Sequence, residues 1–195
     1  MDIKQILSVI GMCLAVYCLF PYYIAILKRK AKPHIFTWVI FGIITSLAAA
    51  IQFSEGGGSG AWIVGLNGAL CLTVVVLSLK FGEKQITKGD WLVFVVALSA
   101  VPVWLLANNP LWAVLILLMI EIFAYYPTLR KSWLRPHEEV IQTWLLGAIT
   151  FLLSVLALEE YSFTTAAYPA FVSSINFMLA GLLLYRRRAL AKASL

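Results

Sequence analysis

The stretch PYYIAILKRKAKPHIFTW, residues 21–38, decides the reading, because the chain repeats its plan as PTLRKSWLRPHEEVIQTW, residues 127–144. In each copy a proline falls near the end of an apolar run. A basic connection follows, and Thr37-Trp38 or Thr143-Trp144 opens the next run. Proline and tryptophan are 17 residues apart in both. The following runs each carry one asparagine, Asn67 or Asn176. Duplication on this scale predicts two structural units of one architecture. In a chain this apolar it points to a transporter built from repeats.

Composition sets the solvent. The 195 residues are 62% hydrophobic and 12% charged, with mean hydropathy +0.92. A soluble domain is roughly half apolar and about one-quarter charged. Seven apolar runs are read, from Gln5 to Leu27, Ile35 to Phe53, Ala61 to Leu79, Trp91 to Ala107, Leu111 to Leu129, Val140 to Leu158 and Thr165 to Tyr185. Each approaches the ~20 residues that span a bilayer. They lack two-residue alternation, and in lipid the backbone must pair within its own segment, so they read as helices. The first run is not a cleaved leader: it contains Pro21 and leads into Lys28-Arg29-Lys30.

The net charge of +6 is not a nucleic-acid signature, because its distribution follows the connections. Lys28, Arg29, Lys30 and Lys32 follow the first run, and Lys80, Lys84 and Lys88 the third. Arg130, Lys131 and Arg135 follow the fifth, and Arg186, Arg187, Arg188 and Lys192 form the tail. Lys4 stands alone on the other side. Basic short loops stay cytoplasmic, which predicts an outside N-terminus and an inside C-terminus. The basic belt also favours anionic lipid headgroups. Short loops and the lack of a targeting tail suggest a bacterial inner membrane.

The expected fold is an all-α membrane protein of seven transmembrane helices in a three-one-three plan. Residues 1–82 form the first three-helix unit, 83–109 a linker helix and 110–195 the second unit. Because three is odd, the linker restores direction, so both units lie parallel.

On these residues the chain resembles the SWEET and PQ-loop superfamily. Pro21-Tyr22-Tyr23-Ile24-Ala25-Ile26-Leu27-Lys28-Arg29-Lys30 is similar to its proline and lysine-rich turn. Leu66-Asn67-Gly68-Ala69 is similar to its asparagine region, and Ile175-Asn176-Phe177 fits as the partner. The resemblance implies that Asn67 and Asn176 face a central cavity and bind substrate, and that Pro21 and Pro127 act as hinges. The chain departs from the family in having Pro-Tyr and Pro-Thr for Pro-Gln. It also has Gln52 and Tyr161 where the sugar-stacking tryptophans stand. The implied cargo is therefore a small polar solute rather than specifically a sugar.

The residues carry a reading of their own. Asn67 and Asn176 are amides in apolar runs, either ligands or interhelical glue. Glu121 is the carboxylate deepest within a span. Ionised and unpaired it costs at least about 2.5 kcal/mol, which makes it the candidate for proton or cation coupling. Its counterpart in the first repeat is Ala15. Pro21 and Pro127 each remove a helical hydrogen bond and permit bending. Trp62, Gln52, Tyr161, Ser173 and Ser174 are expected along the outer half of a cavity. Trp38, Trp91, Trp133 and Trp144 read as interfacial anchors. His34 and His137 read as solvated loop residues, and no metal site is expected. Cys13, Cys18 and Cys71 read as small packing residues.

There is no HExxH, GxSxG or phosphate-cradling glycine loop, and the last run has no Schiff-base lysine. The sequence therefore reads as neither an enzyme nor a cofactor protein. The expectation is a transporter working by alternating access. A non-transporting receptor or binding protein on the same scaffold is the alternative, since fold does not fix function. Oligomer formation is left open.

Overall fold

The computed structural model describes residues 2–106 and 109–193. Among them are seven α-helices and no strand: α1 (Ile3–Leu27), α2 (Ile35–Ser54), α3 (Ser59–Phe81), α4 (Lys88–Leu106), α5 (Pro110–Leu134), α6 (Ile141–Leu156) and α7 (Phe163–Ala193). A 3-10 turn over Pro136–Glu138 precedes α6. The expected end of the fourth run, at Ala107 and Asn108, lies outside the described residues.

Five helices, α1, α2, α3, α5 and α7, are long and apolar enough to cross a membrane. The sixth run yields a shorter apolar helix of 16 residues. At 1.5 Å per residue that is about 24 Å, less than the ~30 Å hydrocarbon core. Its start is delayed because Glu139 and Val140 remain extended. The outward surface is that of a protein solvated by lipid. On α1, Ile3, Ile6, Ile10, Tyr17 and Phe20 are exposed. Its inward stripe is Ser8, Gly11, Ala15, Cys18 and Tyr22, small residues except for the last. Small residues let helix backbones approach where hydrophobic burial supplies little drive. Gly68 of α3 is one such close approach, since a Cβ there would fall 2.5 Å from the Ser46 Oγ of α2.

The helix ends follow local chemistry. Asp2 caps α1 in a reciprocal capping box with Gln5. Asn109 caps α5, whose first residue is Pro110. Thr87 and Asp90 bond each other reciprocally at the start of α4.

The packing has a repeating pattern. The α2–α3 pair corresponds to α6–α7, and α1–α3 corresponds to α5–α7. The α1–α6 contact corresponds to α5–α2, and α3–α6 to α7–α2. Exchanging α1, α2 and α3 for α5, α6 and α7 therefore maps this set of touching helix pairs onto itself, though the paired contacts differ in extent. The fourth helix packs on α5 and α2.

The basic connections meet at one end of the bundle. Lys32 pairs with Glu138 at 3.2 Å, joining the α1–α2 and α5–α6 connections. The Glu83 amide donates to the Pro33 carbonyl at 2.9 Å. Arg187 donates to the Pro136 carbonyl at 2.9 Å. Lys131 and Glu139 form a buried ion pair here, and Lys131 also donates to the Lys32 carbonyl. At the opposite end, Lys4 donates to the Glu159 carbonyl at 3.1 Å. Glu159 accepts from the Ser59 amide at 3.0 Å and hydroxyl at 2.8 Å. Thus α1 and α5 start at the same end.

Two expectations about single residues are corrected. His34 is buried rather than solvated: it sits against Asp90, Nε2 to Oδ2 3.5 Å. Burial pushes its imidazole below the ordinary range, and the Asp90 carboxylate offsets this only in part. Trp38 and Trp144 are buried rather than interfacial.

Single cysteines introduced at the exposed positions Lys30, Lys84 and His137, in a background with the three native cysteines replaced, are expected to react with an impermeant maleimide from one side of sealed vesicles. A cysteine at Glu160 is expected to react from the other. Lys30 and His137 reacting from opposite sides would contradict the arrangement.

Candidate functional site

Three polar residues of the apolar helices, Asn67, Asn176 and Glu121, line one cavity between the two halves of the bundle. Each is at least nine-tenths buried. They come from α3, α7 and α5. Asn67 lies about 12 Å along α3 from its start and Glu121 about 16 Å along α5 at helical rise, well inside the bundle.

Asn176 is held by its surroundings. Its Oδ1 accepts from the Tyr125 hydroxyl at 2.7 Å. Gly147 of α6 makes room for it, because a Cβ there would lie 3.3 Å from Asn176 Nδ2. Asn67 is differently employed. Its Nδ2 donates to the Ile63 carbonyl of its own helix at 3.0 Å, its single bond among the described residues. Asn67 therefore bridges no helices, while Asn176 joins α7 to α5.

Glu121 accepts a long hydrogen bond, 3.3 Å, from the Tyr168 hydroxyl. Tyr168 in turn meets the Thr45 hydroxyl at 2.8 Å. This chain of three polar groups crosses from α5 through α7 to α2. None of the ion pairs among the described residues includes Glu121. The carboxyl thus has a hydroxyl and no cation for a partner among the described residues.

The wall on the basic side is aromatic. Trp38 and Trp144, at matching places in the duplicated stretches, approach to 6.2 Å between ring centroids. Tyr125 lies 6.1 Å from Trp144 and 4.7 Å from Phe41. Trp144 is oriented by its Nε1, which donates to Glu139 at 3.2 Å. The aromatic wall thus rests on the buried ion pair beneath it. Beside Pro21, the Thr143 hydroxyl donates to the Cys18 carbonyl at 3.3 Å, one that lies three residues before the proline. Pro21 and Pro127 both stand inside continuous helices.

The cavity measures about 50 Å³, room for a few waters at most. Small-molecule sites run to about 300–1,000 Å³. In this conformation the three polar groups line a space too small for a sugar.

The remaining residues singled out from sequence stand apart from this wall. Trp62 is 61% exposed and meets the Phe53 ring edge-on at the bundle surface. Tyr161 is 58% exposed, its hydroxyl on the Leu156 carbonyl and Lys4 over its ring. Gln52 is buried, but its Nε2 donates to the Thr165 carbonyl at 2.6 Å, tying α2 to α7 at the end away from the basic connections. Ser173 donates to the Ala148 carbonyl at 2.8 Å, tying α7 to α6. Ser174 is exposed and bonds its own helix. Sequence reasoning missed Tyr168, Thr45, Tyr125 and the inward turn of Trp38 and Trp144. Tyr168 was signalled by the stripe Tyr168, Val172, Asn176, Leu179 and Leu183, which follows the helical period. Comparison with family models, curated proteins and solved structures gives no match.

The two asparagines should differ in structural weight. Asn176→Ala leaves the Tyr125 hydroxyl without its partner and is expected to cost about 1 kcal/mol, within the range of interhelical bonds in membranes. Asn67→Ala is expected to be nearly neutral. Equilibrium unfolding in mixed micelles measures both. Equal costs would mean that Asn67 also holds helices together.

Proposed function

We propose that this chain is a membrane transporter that moves a small polar solute by alternating access, with two parallel three-helix units, α1–α3 and α5–α7, joined by α4. The observation that carries the reading is the shared cavity. Asn67 on α3 and Asn176 on α7, the third helices of the two units, line one cavity together with Glu121. The exchange-invariant packing supports a duplicated architecture resembling SWEET and PQ-loop proteins. The likeness extends to paired asparagines and to prolines near the basic end. Substrate sites at the interface between repeats, near mid-membrane, are the general solution for such folds.

Asn67, Asn176 and Glu121 are the proposed solute-binding set, with Tyr125 and Tyr168 orienting the last two. Trp62, Gln52, Tyr161 and Ser173 are left outside that set because they are bonded or exposed elsewhere. Bending at Pro21 and Pro127 would part the aromatic wall from the cavity. By the positive-inside rule the basic connections favour the cytoplasm for this end, which would put the N-terminus outside, with a cell membrane as the setting. Glu121 would couple the cycle to protons by carrying one while the cavity is sealed.

The test uses purified protein in liposomes, challenged by osmotic shock with glycerol, urea, glycine, glucose or sucrose and followed by light scattering. The proposal expects at least one of the smaller solutes to re-enter faster than in protein-free liposomes. Asn67→Ala and Asn176→Ala should each remove the gain. The wild-type rate should change between pH 5.5 and 8.5, while Glu121→Gln should flatten that profile and keep flux. Rates equal to protein-free liposomes for every solute would favour the receptor reading. A pH profile unchanged in Glu121→Gln would make the protein a uniporter with a structural carboxyl.

A further inference from the structure

Away from the central cavity, at the basic end, lies an open cleft of about 330 Å³. It is within the size range of small-molecule sites. Five cationic side chains line it: Arg29 and Lys32 from the α1–α2 connection, Lys80 from α3, Lys84 from the α3–α4 connection and Arg135 from the end of α5. Glu83 is the one carboxylate in the lining. Such a set is costly in self-repulsion unless an anion answers it.

Glu83 shows what the cleft accepts. Its Oε1 takes hydrogen bonds from the backbone amides of Lys84 at 2.8 Å and Gln85 at 2.9 Å, and its Oε2 takes one from Arg135. Consecutive amides turned on one oxygen, closed by a guanidinium, are the elements of a phosphate cradle. Burial pushes the Glu83 carboxyl up, but the Gln85 amide, the Arg135 guanidinium and the Lys84 amide outweigh it and hold it below its usual range.

Arg29 carries the second observation. It ends α1 in a Schellman turn: its amide donates to the Ile26 carbonyl at 2.9 Å and that of Lys30 to the Ala25 carbonyl at 2.8 Å. This turn holds Arg29 at φ 57°, the only non-glycine positive φ among the described residues. The position favours glycine, and a side chain there is held against its own preference. The retained guanidinium lines the cleft and has no ion-pair partner among the described residues. Lys32 and Arg135, by contrast, are already paired.

We propose that this cleft binds a phosphorylated anion of at least two negative charges, with Arg29 as its principal free ligand and Lys80 and Lys84 beside it. The anion bridges the α1–α2 and α3–α4 connections to the end of α5. It competes with Glu83 for Arg135. A lipid phosphate monoester and a soluble phosphorylated compound share this chemistry.

The test separates fold from ligand, because Arg29→Gly relieves the backbone while removing the charge. Full-length protein in neutral detergent is titrated with inorganic pyrophosphate against potassium chloride of equal ionic strength, reading the unfolding midpoint. In parallel, the protein is placed in phosphatidylcholine nanodiscs with or without 10 mol% phosphatidic acid. Wild type should be stabilised saturably by at least one of the two probes. Arg29→Gly should be at least as stable alone, with binding about tenfold weaker or more, the effect of one charge-assisted bond. A response to pyrophosphate alone assigns a soluble ligand, one to phosphatidic acid alone a lipid headgroup, and one to both a site open to either. No response beyond the chloride control, or the same response in Arg29→Gly, overturns the proposal.

Discussion

The end of the bundle that carries the basic connections depends on the ion pair between Lys131 and Glu139, both buried. Two charges withdrawn from water are tolerated only when every remaining valence is answered. Here Lys131 also donates to the Lys32 carbonyl, and Glu139 accepts from the Trp144 indole. Arg187 of α7 reaches the carbonyls of Pro136 and Glu139. One pair therefore fastens α5, the α1–α2 connection, α6 and α7. Removing one partner from such a pair costs about 3–5 kcal/mol, because the other charge stays buried. The energy is concentrated at one place, the property needed of a latch. The opposite end is fastened by neutral and singly charged bonds, such as Ser8 to the Ser59 carbonyl at 2.6 Å and Ser154 to the Gly60 carbonyl at 3.1 Å. The two ends thus differ in kind.

Between them, the cavity contains both the symmetry and its breaking. Trp38 and Trp144 occupy matching places and face each other. Glu121 has Ala15 as its counterpart, and the Phe41 ring against Tyr125 is answered across the pair by Gly147. The matching tryptophans line the cavity from both halves, while Glu121 adds a carboxyl from the second half alone. The Glu121–Tyr168–Thr45 chain joins α5 and α7 to α2, so the state of one carboxyl bears on a contact between the two halves.

Much of the fold was legible in the sequence, since lipid forces long apolar runs into helices; most run boundaries fall within a few residues of the helix ends, but α7 runs on past Tyr185 through the basic tail to Ala193, and α5 past Leu129 to Leu134. The sixth run misled because hydropathy continues through Val140 and Leu158 while the backbone there is extended or turning. In the cavity, Asn67, Asn176 and Glu121 were legible as polar groups in apolar helices. The same signal named Gln52 and Ser173, whose Nε2 and hydroxyl donate to the Thr165 and Ala148 carbonyls of neighbouring helices. Composition does not separate a polar group facing a cavity from one satisfied across a helix contact. Tryptophan was ambiguous for a related reason: at the end of a run it suits a membrane interface as well as a buried wall, and only packing decides. Arg29 was invisible as a special residue, because nothing in a run of basic side chains reveals which one sits at positive φ.

The most direct measurement is a pair of distances across the two halves, by pulsed electron spin resonance in lipid nanodiscs. Spin labels at Lys30 and His137 report the basic end, and labels at Ser54 and Glu160 the opposite end. Each pair is compared between the otherwise unaltered protein and Glu139→Gln. If the cavity is reached from one end at a time, and the buried pair is what holds the basic end shut, Glu139→Gln lengthens the Lys30–His137 distance and leaves the Ser54–Glu160 distance at its short value. Both distances lengthening together, or the basic-end distance staying unchanged in a folded variant, would contradict the account.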